Sequence, residues 1–166
     1  KAQIAALRES GAMPDHMLGI PQRGSLPVTV PGTVDGWFAA HERFGKLPMA
    51  DVLSPAVRYA REGFPVTPVI AYYFGRNLVA FKEQEALIEE LDNAAAIWFP
   101  NGDTPRAGDV FRNPDLANTL EVLGEEGRAA FYEGKLARAM DDSFMRIGAA
   151  LRFEDFAAHQ GEWGTA

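Results

Sequence analysis

The chain has 166 residues, 47% hydrophobic and 23% charged, with a formal net charge of −7. These proportions are those of a globular protein with its own core and exclude a disordered or fibrous one, while the acidity and scattered Lys and Arg argue against nucleic acid as a partner. No stretch approaches the roughly 20 apolar residues of a membrane span, so no membrane partner is expected, and the lack of cysteine excludes disulfides, thiolate metal sites and a Cys nucleophile from this segment.

Residues 2–9 have helical spacing, with Ile4, Ala5 and Leu7 apolar and Gly11 placed to stop the helix. Residues 13–24 read as an irregular connection. Residues 25–30 alternate and are β-branched, which predicts a short strand broken at Pro31 and Gly32. From Thr33 the period becomes helical, with Val34, Trp37, Phe38 and His41 on one face and Gly45 at the end. Pro48 suits the first turn of the next helix, whose stripe of Val52, Ala56, Tyr59 and Ala60 runs to Gly63, with a kink or break expected at Pro55.

Thr67-Pro68 is a cap followed by a first-turn proline, opening a helix to about Phe81, with a further short helix over 83–91. Residues 97–99 read as extended, and Pro100-Asn101-Gly102-Asp103 as a turn. Asn113-Pro114 repeats the cap signature before a stripe of Leu116, Leu120 and Leu123 closed by Gly124 and Gly127. A short helical turn over 127–132, an amphipathic helix over 135–147 and a last helix over 154–159 complete a mainly α chain. No internal repeat is visible.

Residue chemistry alone assigns no active site. His16, His41 and His159 lack metal-ligand spacing, so no metal or cofactor is expected. Glu89-Glu90, Glu125-Glu126, Asp141-Asp142 and Glu154-Asp155 read as solvated or first-turn carboxylates, since adjacency in sequence does not supply the spacing of an acid–base pair. Tyr72, Tyr73, Phe74 and Phe81 read most simply as core or subunit interface. No Gly-x-Ser-x-Gly elbow and no phosphate-cradling loop occurs.

The punctuation residues say more when taken together. Val28-Thr29-Val30-Pro31-Gly32-Thr33-Val34-Asp35-Gly36-Trp37, then Phe44-Gly45-Lys46-Leu47-Pro48, Leu53-Ser54-Pro55-Ala56 and Ala60-Arg61-Glu62-Gly63-Phe64-Pro65-Val66 stand in order. Pro105-Arg106-Ala107-Gly108-Asp109, Asn113-Pro114-Asp115-Leu116-Ala117, Phe131-Tyr132-Glu133-Gly134 and Glu154-Asp155-Phe156-Ala157 follow. In that order and spacing they resemble the γ-glutamyltranspeptidase-like enzymes of the N-terminal nucleophile hydrolase superfamily. The resemblance covers residues 25–162; residues 25–166 are expected to form one incomplete domain, and residues 1–24, a helix and loop, match poorly.

What the resemblance implies is a precursor that cuts itself into a large and a small subunit held in an αββα sandwich. The new N-terminal Thr of the small subunit is the nucleophile, its own amine the base, and a γ-glutamyl or related small amide the acyl donor. This chain would be the helix-rich middle of the large subunit, inactive alone, with the rest of that subunit and the small subunit as its partners.

The resemblance supplies no catalytic position here; neither Arg8 nor Arg23 has the context of the family's substrate-carboxylate Arg. Pro31, Gly32 and Thr33 are the residues expected near the site, where a tight turn entering a helix can present backbone N–H groups. Near the end, Gly148-Ala149-Ala150-Leu151-Arg152 replaces the family's Gly-Gly followed by Leu-Thr, and loss of that Thr cap is expected to cost the last helix about 1 kcal/mol. The reading from a different class is a noncatalytic helical interaction module. The compartment stays open between periplasm and cytoplasm.

Overall fold

The computed structural model describes residues 2–13 and 19–164; His16 lies outside the described residues. The chain forms two compact units that alternate along the sequence. The first comprises Lys1–Val28, Pro65–Val110 and Ile147–Ala150, and the second Thr29–Phe64, Phe111–Arg146 and Leu151–Ala166.

In the first unit, α1 (Ala2–Glu9) is tied to the third chain piece by the Gln3 side chain, which donates to the Gly148 carbonyl at 3.1 Å. Helix α4 (Pro68–Glu83) starts as its cap signature dictates, with the Thr67 hydroxyl accepting from the Ile70 amide. Only a single 3-10 turn, Glu85–Leu87, forms where a further helix is expected over 83–91. Next comes α5 (Asp92–Trp98), which the sequence reading misses. Its Asp92 and three consecutive alanines favour helix locally, and they carry it through Ile97 and Trp98, the residues expected to be extended. Phe81 and Phe99 then meet with ring centres 5.7 Å apart, and Phe99 is buried.

Residues 25–30 are not a strand either. The Val28 amide closes a turn onto the Ser25 carbonyl at 3.2 Å. The Glu89 carboxylate accepts from both the Ser25 amide (2.9 Å) and its hydroxyl (2.7 Å). Pro27 removes a ladder donor in the middle of the segment, and its first residue is already held by a carboxylate.

The second unit opens with α2 (Thr33–Phe44) and α3 (Met49–Glu62), and the chain leaves it within the short strand β1 (Phe64–Pro65), whose Pro65 belongs to the first unit. Strand β2 (Val110–Phe111) pairs with β1 and leads into α6 (Pro114–Glu126). The chain then forms α7 (Arg128–Tyr132), α8 (Lys135–Arg146) and α9 (Phe153–Ala157).

Helix α3 runs through Pro55 unbroken. The Asp51 carbonyl, which a residue-55 amide would have served, accepts the Ser54 hydroxyl at 3.0 Å instead. Gly124 does not end α6; the helix continues to Gly127, whose φ of 77° suits glycine. At Gly124, α6 approaches α3 closely: a Cβ there would sit 2.9 Å from the Ala50 Cα. Val34, Leu120, Leu123 and Tyr132 form the buried centre, with Phe38, Leu53, Val57 and Leu136 packed against it. Each such fully buried aliphatic side chain contributes roughly 1.5–3 kcal/mol through area removed from water.

Helix α9 starts at Phe153 and ends at Ala157, short of the expected His159. With Arg152 in place of the family's Thr, the Asp155 carboxylate caps the turn by accepting the Arg152 amide at 2.8 Å.

Candidate functional site

Most of the second unit's polar side chains are solvated; an exception surrounds the first turn of α2. Asp35, the third residue of that helix, is 8% exposed, and a carboxylate there complements the positive end of the helix dipole. Tyr132, at the end of α7, is fully buried, and its hydroxyl is used in both directions. It donates to the Pro31 carbonyl at 2.6 Å and accepts from the Asp35 amide at 3.0 Å.

Arg128, one turn before Tyr132, lays its guanidinium 4.4 Å from the centre of the Tyr132 ring. Its Nε pairs with the Asp35 carboxylate and its Nη2 donates to the His159 carbonyl at 2.7 Å. The His159 ring stacks on Tyr132 at 5.0 Å, tilted by 19°, with Nε2 3.9 Å from Asp35 Oδ2. The Gly161 amide also bonds the Asp35 carboxylate, and a Cβ at Gly161 would collide with it.

The electrostatics follow from these contacts. The Arg128 hydrogen bond, helped by its charge, holds the Asp35 carboxyl below its ordinary value against the opposing effect of burial. Burial pushes the Tyr132 hydroxyl upward, so it stays protonated and able to donate. Such a group positions backbone rather than transferring protons. Asp35 is neutralised by its partner, and Tyr132 has both hydrogen-bonding roles filled.

Of the residues singled out from sequence, Pro31, Gly32 and Thr33 form an exposed stretch that enters α2, and this network holds it. Pro31 is anchored through its carbonyl, Gly32 lies under the His159 ring with a would-be Cβ 3.6 Å from it, and Thr33 opens α2. His41 is elsewhere, its Nε2 2.7 Å from the Leu47 carbonyl. Glu89 clasps Ser25, and Arg23 stands over the Phe81 ring at 5.9 Å. Sequence reasoning missed Asp35, Arg128 and Tyr132 as a group, because 93 residues separate the ion pair and 97 separate Asp35 from Tyr132. The available signal was weak: an acid in a helix's first turn, and an Arg one turn before an aromatic.

In the first unit, Tyr73, Phe74, Phe81, Trp98 and Phe99, with Ile70 and Asn77, line an open cleft of about 380 Å³. Among the described residues, no three His, Asp or Glu side chains gather as a metal site.

Residues 3–166 match the family described as gamma-glutamyltranspeptidase. The chain belongs to that family. It is 38% identical over 147 residues to the glutathione hydrolase-like YwrD proenzyme of Bacillus subtilis (strain 168), a match covering 88% of this chain and 27% of that protein. To the oxamate amidohydrolase proenzyme of Klebsiella pneumoniae it is 35% identical, covering 85% of this chain and 26% of that one. The crystal structure of cephalosporin acylase from Bacillus halodurans superposes with a TM-score of 0.81 at 34% identity, over 96% of this chain and 29% of that chain. The chain thus spans about a quarter of the length of the curated relatives it matches. Its likeness to gamma-glutamyltranspeptidase-family structures extends to the mainly helical architecture described above.

Proposed function

We propose that this chain is the helical portion of the large subunit of a self-processing amidohydrolase or acyltransferase built as an αββα sandwich. The nucleophile is an N-terminal Thr outside residues 1–166, so the segment alone is inactive. Its hydroxyl attacks the donor amide carbonyl with its own amine as base; the amine product leaves, and water or an amino acid then takes the acyl group from the Thr ester. The donor is a γ-glutamyl compound or another small amide. The relatives' names, which span glutathione hydrolase, oxamate amidohydrolase and cephalosporin acylase, support that class. The Pro31-Gly32-Thr33 turn is the part of this chain assigned a place beside the acyl site.

The observation that carries this reading is the continuous match to the family over residues 3–166, joined to the 0.81 TM-score against an acylase. The test is expression of the parent reading frame, followed by a denaturing gel and N-terminal sequencing of any smaller band. Two bands, the smaller beginning with Thr, are expected. A single uncut band would overturn self-processing and return the segment to the role of a noncatalytic helical module.

A further inference from the structure

Arg23 carries a charge that the described residues leave unmatched. It belongs to the first unit and is half-buried. Its guanidinium carbon stands 5.9 Å from the centre of the Phe81 ring, a weak cation–π contact at that distance. Its one hydrogen bond among the described residues runs from Nη1 to the carbonyl of its neighbour Gln22 at 3.3 Å, and its Nε is enclosed without an acceptor. Glu89 reaches the same loop, but both its carboxylate oxygens are held by Ser25, Oε2 by the amide and Oε1 by the hydroxyl. In the second unit, by contrast, Arg61 and Arg128 pair with Glu121 and Asp35. A half-buried guanidinium has lost part of its water, and a carboxylate is the group whose geometry best replaces it.

Phe81 joins this cation to the aromatic cleft. Its ring is one wall of that 380 Å³ space, a volume at the lower end of small-molecule sites. The rings around the cleft are tilted rather than stacked, Phe74 against Trp98 by 40° and Phe81 against Phe99 by 58°, so neither pair closes face to face. No charged side chain lines the space.

We propose that the cleft and Arg23 together bind a small aromatic carboxylate, its ring among Phe74, Phe81 and Trp98 and its carboxylate on the Arg23 guanidinium. A neutral aromatic compound would leave the cation unmatched, and an aliphatic acid would leave the rings uncovered. The two features therefore select one ligand class. Binding there requires neither self-cutting nor an N-terminal Thr.

The probe is hydrocinnamate, titrated by calorimetry into the whole parent protein and followed by tryptophan fluorescence. A Kd below about 1 mM is expected, with a fluorescence change that is lost in Trp98→Phe. Arg23→Gln should weaken binding at least about tenfold. Hydrocinnamyl alcohol, with the same ring and no charge, should bind the wild type at least about tenfold more weakly than the acid. The alcohol comparison needs no substitution, so it decides the matter even if Arg23→Gln fails to fold.

No binding by the whole protein would overturn the site, as when another part of the parent fills the cleft. Equal affinity for acid and alcohol would do the same. So would acid binding that Arg23→Gln leaves unchanged, or a fluorescence change that survives Trp98→Phe, either of which belongs to another cavity. An uncut parent that binds the acid through Arg23 supports this site while overturning the hydrolase reading; a self-cut parent that does not bind it does the reverse.

Discussion

Helices α3 and α6 in the second unit meet through small and aliphatic residues, whereas α4 and α5 in the first meet through aromatic rings. Gly124 against Ala50 brings the first pair to backbone contact, and the Arg61–Glu121 ion pair (2.6 Å) sits on its solvent side. In the second pair, Phe74 and Trp98 lie 5.8 Å apart at 40°, and an open cleft remains beside them. Small residues let the α3 and α6 backbones approach at Gly124, yet a groove of about 400 Å³ lined by Ala50, Leu53, Val57, Arg61, Leu120 and Glu121 stays open beside them. Large tilted rings gain area in fewer contacts and leave gaps. The comparison teaches that both helix pairs keep an open groove of similar volume, bordered by charged side chains in one unit and by uncharged, mostly aromatic ones in the other.

The sharpest way to break this contrast is to attack the second unit where charge is enclosed. Arg128→Met should destabilise by about 3 kcal/mol, because it leaves the nearly buried Asp35 carboxylate without its cation. Denaturant titration of the parent protein from pH 2 to 7 checks both size and sign. Since the folded state lowers the Asp35 pKa from 3.8, its stabilisation is full above that value and is lost as pH falls through the lower folded one. The gap between wild type and variant should therefore be widest above about pH 4 and narrow in acid. A gap independent of pH would mean that Arg128 acts through packing alone.

Gly124→Val should cost about 2 kcal/mol by forcing α6 away from Ala50. Ala96→Val, on exposed α5, adds similar bulk where there is room and should cost only the helix-propensity difference of about 0.6 kcal/mol. Thermal melts of the two variants measure the difference in packing directly; equal losses would erase it. The effect that should be the most even lies between these two. Asn113→Ala and Thr67→Ala each remove a side-chain cap, one per unit, and each should lose about 1 kcal/mol in the same melts.

That evenness marks what was legible in the sequence. Thr67-Pro68 and Asn113-Pro114 start helices by bonds three residues long, so the local pattern is enough. Residues 25–30 misled because their strand-like alternation is overruled by Glu89, 64 positions away. Pro55 misled for a local reason that was readable, the neighbouring serine hydroxyl able to serve the orphaned carbonyl. The residues that hold the Pro31-Gly32-Thr33 stretch were not legible at all. Asp35, Arg128, Tyr132 and His159 come from three separate stretches, and no periodicity links them. Family membership was legible because many short turn and cap motifs stand together in one order along the chain.

The Tyr132 hydroxyl also sets a timetable. It meets the Pro31 carbonyl across 101 residues, and the second unit's pieces are separated in the chain by one of the first unit's. On a ribosome adding about 5–20 residues per second, α2 and α3 emerge on the order of 10 s before α6 and α7 can reach them. Closing so long a loop costs entropy that its contacts return only afterwards. During that interval Val34, Leu53 and Val57 have no core to enter.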